Sequence, residues 1–276
     1  MTLVVSEISK HGIVMIGDSA ITYSNGGIPV GVGDGAAKVQ YSEKANLGVA
    51  MWGNAVVQGN QMDTWVKDFI ESTIDDIDDN EEIESAGQRL TSELRSELEK
   101  ENMPWSELVF GIHFAGYIND LPRLWHIHCG HSNEPPHEPR LYHDYPEDQN
   151  WTEAYYRALF FPPGGGGTAS AHLRNDYTPH YALLFSSMKD YVNSLRQKLG
   201  INLPADSLEG HLNFHKLLVR FVAGALVAAG EHPGVNDNLS SISFDQNGIV
   251  TDERFPIIDW LNNPPGAFPS VTHIWL

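Results

Sequence analysis

The first 53 residues carry one β-rich run after another, with no helical stretch between them. Thr2 to Ile8 and Gly12 to Gly17 are dense in Val, Ile and other strand formers, and Ser9-Lys10-His11-Gly12 between them is a turn signal. A looser hairpin follows with Asn25-Gly26-Gly27 near its tip. Ala37 to Tyr41 and Leu47 to Met51 then flank Ser42-Glu43-Lys44-Ala45-Asn46. Parallel strands need long crossovers, whereas strands joined by short turns pair antiparallel. These four runs are therefore expected to form an antiparallel sheet.

The period then changes. Val56 to Ser72 places Val57, Met62, Trp65, Val66, Phe69 and Ile70 on one stripe and predicts a helix. The acidic run from Asp75 to Glu82 reads as a solvated connector and the first turn of a second helix, where the helix dipole favours carboxylates. That helix carries Leu90, Leu94 and Leu98 on one side, and Pro104 ends it. Strands return at Glu107 to Tyr117 and Arg123 to Cys129. Between Gly130 and Thr178 the pattern dissolves into Pro-, His- and Gly-rich sequence, with Pro162-Pro163-Gly164-Gly165-Gly166-Gly167 as its clearest break. Two helices, about Tyr181 to Leu199 and Leu208 to Gly230, and a hairpin of Leu239 to Phe244 with Gly248 to Thr251 follow. Strand blocks alternating with helix pairs predict an α+β fold, two antiparallel sheets packed together with helices outside. The expected organisation is one domain over residues 1–254 with an irregular insertion at about 130–178, then a tail over 255–276.

Composition narrows the function. The 276 residues hold 17 Lys and Arg against 36 Asp and Glu, a formal charge of −19, so no basic stripe exists to neutralise phosphates and no nucleic-acid partner is expected. The longest apolar stretch, Leu217 to Gly230, is interrupted by Arg220 and is too short to span a bilayer. The opening MTLVVSEISKHG has no basic region followed by a long apolar run, so no secretory signal is expected and the expected location is the cytoplasm. Cys129 is single, so no intramolecular disulfide is expected. His126, His128, Cys129, His131, His137 and His143 crowd one region but match no paired zinc pattern; no metal and no cofactor are expected.

One residue stands out chemically. Methionine before a small residue is readily removed, and loss of Met1 would make Thr2 the first residue. A terminal threonine supplies a hydroxyl nucleophile and its own α-amine, whose unperturbed pKa of roughly 7.7–8.0 suits a general base. Asp18, in Gly17-Asp18-Ser19-Ala20-Ile21-Thr22, and Lys38, in Ala36-Ala37-Lys38-Val39, are the natural supports. A lysine beside the hydroxyl lowers its pKa, and a carboxylate beside the lysine fixes it and keeps it charged. Neighbouring strands of one sheet are expected to bring the three to one end.

Thr2 to Ala55 resembles the N-terminal half of proteasome β subunits and the HslV-type peptidase, which are N-terminal-nucleophile hydrolases. That family has an Asp-Ser-x-x-Thr motif sixteen residues after its threonine, matched by Asp18-Ser19-Ala20-Ile21-Thr22. Its lysine precedes valine in a strand, as Lys38 precedes Val39 here after a longer hairpin. Fourteen residues further, where the family has a Gly-Gly pair opening its first helix, this chain has Trp52-Gly53.

The resemblance implies the four-layer αββα sandwich of the Ntn-hydrolase fold and a threonine peptidase with Thr2 as nucleophile and base. Asp18 and Lys38 would support it, Thr22 would bind substrate backbone, and the Trp52 and Gly53 amides would face the oxyanion. Trp52 would also bring bulk toward the specificity pocket. For the family's later serine and aspartate the candidates are Ser170, Glu231, Asp237 and Ser240. The implied partners are a peptide or unfolded protein, further copies of the chain in a homo-oligomeric ring, and an ATP-dependent unfoldase. Two other readings stay open: a non-catalytic scaffold of the same fold, and an amidase acting on small amides.

Overall fold

The computed structural model describes residues 3–9, 11–25, 28–53, 56–57, 59–74, 83–100, 105, 110–129, 137–143, 171–173, 191, 194–195, 197–200, 207–228 and 236–257. Two five-stranded antiparallel sheets dominate. The first contains, in spatial order, β12 (Ala171–Leu173), β1 (Leu3–Ser9), β2 (Gly12–Asp18), β13 (Leu239–Asp245) and β14 (Gly248–Glu253). The second contains β11 (Arg140–His143), β10 (Leu121–His128), β9 (Phe110–Ile118), β6 (Leu47–Gly53) and β5 (Val39–Ser42). Two small hairpins stand apart, β3 (Ala20–Asn25) with β4 (Ile28–Asp34) and β7 (Val56–Val57) with β8 (Asn60–Gln61).

The sheets face one another, with β1 and β2 against β6. Helix α3 (Leu208–Ala228) covers the outer side of β2 and β13, and α2 (Ile83–Lys100) lies on β9 and β11. Helix α1 (Met62–Phe69), continued by a π-helical turn over Ile70–Ile74, packs near β5. The fold is thus sheet-dominated, with helices on both outer sides.

This layering explains why β1 and β2 read as nearly continuous apolar runs. Side chains alternate across a strand, and both faces of these two are buried. Leu3, Val5, Val14 and Ile16 pack with Leu212, Leu218, Val219 and Val222 of α3. Val4, Ile8, Ile13 and Met15 point the other way, into the core between the sheets with Val39, Val49, Ile242 and Phe244. On α2, Leu90, Leu94 and Leu98 are buried as the periodicity predicts. The turn from β9 to β10 is tighter than expected: Asn119 and Asp120 take φ of 50° and 62°, the left-handed pair of a two-residue hairpin turn.

Four expectations need correction. The four opening runs do not form one sheet, because β1 and β2 lie in the first sheet and β5 and β6 in the second. The first helix begins at Met62 rather than Val56; Val57 is buried, but from a short hairpin whose turn includes Gly59 at φ 73°. Trp52-Gly53 ends β6 and opens no helix. Within the stretch expected to be irregular, β11 and β12 each add an edge strand to a sheet. Most of the helix expected over Tyr181 to Leu199, and the tail beyond residue 257, lie outside the described residues. Among the described residues no helix is long and apolar enough to cross a membrane.

One buried charge cluster ties α3 to β1. Glu7 is buried and accepts hydrogen bonds from His211 Nδ1 at 2.6 Å and from His215 Nε2. Burial pushes the Glu7 carboxyl up, but the charge of His215 and the bonds from both imidazoles outweigh it and hold the group at about 2, below its ordinary 4.5. A carboxyl lowered in the folded state stabilises above its unfolded pKa and loses that contribution as protons bind. Stability measured by urea unfolding should therefore fall as pH drops from 4.5 toward about 2. Glu7→Gln should flatten that slope and cost roughly 3–5 kcal/mol at neutral pH, because it removes one partner of a buried charge pair.

Candidate active site

The start of β1, the end of β2 and the segment before β5 meet at one end of the two sheets. Asp18 closes β2 and is fully buried, 0% exposed. Its Oδ1 accepts the Leu3 amide at 2.7 Å, and its Oδ2 accepts the Ala20 amide at 3.0 Å and Lys38 Nζ at 3.1 Å. Lys38, 6% exposed, also donates to the Ala20 carbonyl at 2.7 Å. A buried charge persists where it is paired and hydrogen-bonded, and both groups meet that condition.

Burial pulls the Lys38 ammonium below the ordinary lysine range, and attraction to Asp18, the hydrogen bond to Asp18, and the farther carboxylates of Asp34 and Asp63 partly offset it. The lysine can approach because Gly17 has no side chain: a Cβ there would lie 3.1 Å from Lys38 Cβ. The expected neighbours within one sheet are therefore replaced by a pair reaching across from one sheet to the other.

The loop between β4 and β5 is held from two sides. Gly35 and Ala36 amides both donate to the Ser19 carbonyl at 3.1 Å, and the Met51 amide donates to the Lys38 carbonyl at 2.9 Å. Ser19 is anchored in turn. Its amide donates to the Asn238 carbonyl at 3.1 Å, its hydroxyl donates to the Asp34 carboxylate, and the Asn236 side-chain amide donates to that hydroxyl at 3.1 Å. Asn238 Nδ2 reaches Asp34 Oδ2 at 2.8 Å.

Thr2 and Met1 lie outside the described residues, as do Ser170 and Glu231. Thr22 stands on β3 opposite Val32. Trp52 pairs across the sheet with Gly111, and its indole occupies the space a Gly111 side chain would need, 2.3 Å from a Cβ built there. At 5% exposure it is part of the core. Gly53 follows with φ of 96°, a conformation that favours glycine.

Ser240 is buried opposite Gly17 but its hydroxyl accepts the Phe255 amide at 3.2 Å, and Asp237 is exposed. The residues that do meet the Asp18 loop from that part of the chain are Asn236 and Asn238. The His126 and His128 rings do share a face, stacked 5.0 Å apart, and Tyr142 stacks on both. Among the described residues no group of three or more His, Cys, Asp or Glu is placed to hold a metal ion.

A two-sheet fold with a buried Asp–Lys pair at the head of its first strand is the class these observations define. Solved structures with this fold include Anbu, an ancestral beta-subunit, from Yersinia bercovieri, at 12% identity over 94% of this chain and 88% of that one, with a TM-score of 0.53. An Anbu Gly-1 mutant from Hyphomicrobium sp. strain MC1 aligns at 10% identity over 95% and 92% of the two chains, with a TM-score of 0.48. No family model matches the chain, and no curated protein matches it. The resemblance to proteasome β subunits and the HslV-type peptidase is therefore corrected: what is shown is a likeness of fold to Anbu.

The Asp18–Lys38 pair yields a stability test. Lys38→Met should cost roughly 3–5 kcal/mol in urea unfolding, because it leaves the Asp18 carboxylate buried without its counter-charge. Asp18→Asn added to Lys38→Met should recover part of that loss; strictly additive losses would show that the two side chains are energetically independent.

Proposed function

We propose that the chain is a threonine-type hydrolase of peptide bonds whose nucleophile is Thr2, freed by removal of Met1. The observation that carries this reading is the Leu3 amide on Asp18, with Lys38 on the same carboxylate. Leu3 is bonded directly to Thr2 in the chain, so a buried ion pair is tied to the residue next to the one with the required chemistry.

In this mechanism the Thr2 hydroxyl attacks the substrate carbonyl carbon and passes its proton to the Thr2 α-amine. On this reading the Lys38 ammonium lowers the hydroxyl's pKa, and Asp18 keeps that ammonium in place. Negative charge forming on the carbonyl oxygen is taken by backbone amides near Trp52 and Gly53. The α-ammonium returns its proton to the leaving amine as the C–N bond breaks, leaving an ester on Thr2. Water then attacks the ester, with the α-amine again accepting a proton, and the acid product departs as the hydroxyl is restored. Thr22 would align the substrate backbone. The working unit is the single domain over residues 1–254, assembled as a homo-oligomeric ring in the cytoplasm, and its substrate is a peptide or an unfolded protein delivered by an ATP-dependent unfoldase.

Intact-mass spectrometry tests the reading. The purified chain should lack Met1 and gain one acyl group when treated with a peptidyl β-lactone, while Thr2→Ala should gain none. Lys38→Ala should slow acylation by about 100-fold or more, as expected for loss of a group that assists proton transfer. A wild-type chain that keeps Met1, or that lacks it and takes no acyl group, would overturn the proposal in favour of a scaffold. Hydrolysis confined to small acyl amides in a substrate panel would point to the amidase.

A further inference from the structure

Lys38 has no regular strand beneath it: β4 ends at Asp34 and β5 starts at Val39. Its place depends on how residues 35–38 are tied down. Ser19 takes the first two amides, and the third, that of Ala37, donates to Asp63 Oδ2 at 3.1 Å. Gln40 Nε2 closes the other side by donating to the Ala37 carbonyl at 2.7 Å. Asp63 is buried in the first turn of α1, where its Oδ1 accepts the Thr64 amide at 2.9 Å and Gln61 Nε2 at 3.1 Å.

An acid in a first helical turn is ordinarily explained by the helix dipole and the unpaired amides there. The Thr64 bond fits that account. The Ala37 bond does not, because it joins α1 to the residue immediately before Lys38.

We propose that Asp63 is a positioning residue for Lys38, fixing its backbone through the Ala37 amide and its ammonium through the field of a second buried carboxylate. The negative groups acting on Lys38 come from three elements: Asp18 on β2, Asp34 on β4 and Asp63 on α1. Of these three carboxylates, Asp18 is the one in hydrogen-bond contact with the ammonium. Asp63 acts through the backbone of the residue before the lysine, so α1, which carries no candidate catalytic group, would set the geometry of the site. The catalytic meaning of this inference rests on the Thr2 reading above; the physical coupling does not.

The test uses the full chain and reads Lys38 directly. The Lys38 side-chain 13Cε signal, assigned by its loss in Lys38→Arg, is followed by NMR against pH. Asp63→Asn, which keeps an acceptor for Ala37 but removes the charge, should move the Lys38 midpoint down by about half a pH unit or more. Asp63→Ala should speed exchange of the Ala37 amide by about tenfold or more, as expected when a buried bond of this kind is lost. Glu71→Gln, on the exposed side of the neighbouring turn, should change neither. The pH midpoint of β-lactone acylation should shift with the NMR midpoint in Asp63→Asn, with half-saturating lactone concentration unchanged. A Lys38 midpoint in Asp63→Asn equal to that of the wild type overturns the inference. This holds whether or not the wild type acylates, so failure of the Thr2 reading and failure of this inference stay distinguishable.

Discussion

Burial on both faces of β1 and β2 is the constraint from which the rest follows. With α3 packed on one side and the second sheet on the other, these strands have no solvent face to which polar groups can turn. Every polar side chain they carry must find a partner within the protein or cost several kcal/mol. The chain keeps Ser6, Glu7 and Asp18 there all the same. Ser6 shares a hydrogen bond with His113 of β9 at 2.8 Å, Glu7 meets two histidines of α3, and Asp18 accepts two amides and an ammonium.

A buried ion pair is a poor device for raising stability, since desolvation of both groups consumes most of their attraction. Its better use is to specify a geometry. Asp18 is saturated by donors from β1, from the head of β3 and from Lys38, so moving any of the three leaves a buried carboxylate oxygen short of a donor. Lys38 is likewise fixed at both the Asp18 carboxylate and the Ala20 carbonyl. The same lock orders the loop below. Ser19, next in the chain to Asp18, gathers the Gly35 and Ala36 amides, and Asn236 and Asn238 bring the approach to β13 into contact with it.

The legibility of this arrangement in the sequence was uneven for physical reasons. Hairpins such as β1–β2 and β13–β14 were plain, because alternation and turn residues are local signals. Sheet membership was not. Four successive β-runs look alike whether they pair with one another or with distant strands, and β6 pairs with β9 across more than fifty residues of chain. The helical stripe sets the start of α1 too early because Val57 continues it by coincidence, being buried from a hairpin instead. That error also hid Asp63, which stands in mid-helix if the helix begins at Val56 and in the first turn once it begins at Met62. Asp18 and Lys38 were visible by residue type and spacing. Gly17, whose missing side chain admits the lysine, and Asn236, which meets Ser19, carry no signal without the fold.

The alternation of β1 also explains how its first described residue comes to lie on the Asp18 carboxylate. Register in a strand buried on both sides is strongly specified, because a slip of one residue exchanges the two faces. In β1 such a slip misplaces polar groups. It would turn Glu7 into the core between the sheets or Ser6 toward α3: in one direction His211 and His215 would face Ser6 and His113 would face Val5, and in the other His113 would face Glu7 and the two histidines of α3 would face Ile8. The polar residues on opposite faces thus exclude the neighbouring registers more sharply than Val4, Val5 and Ile8 can, since one aliphatic side chain replaces another at modest cost. With the register fixed in this way, Val4 sits opposite Gly17, and the Leu3 amide meets the residue after Gly17, which is Asp18. The buried histidine contacts in the body of the strand therefore set the alignment at its end, where the ion pair lies.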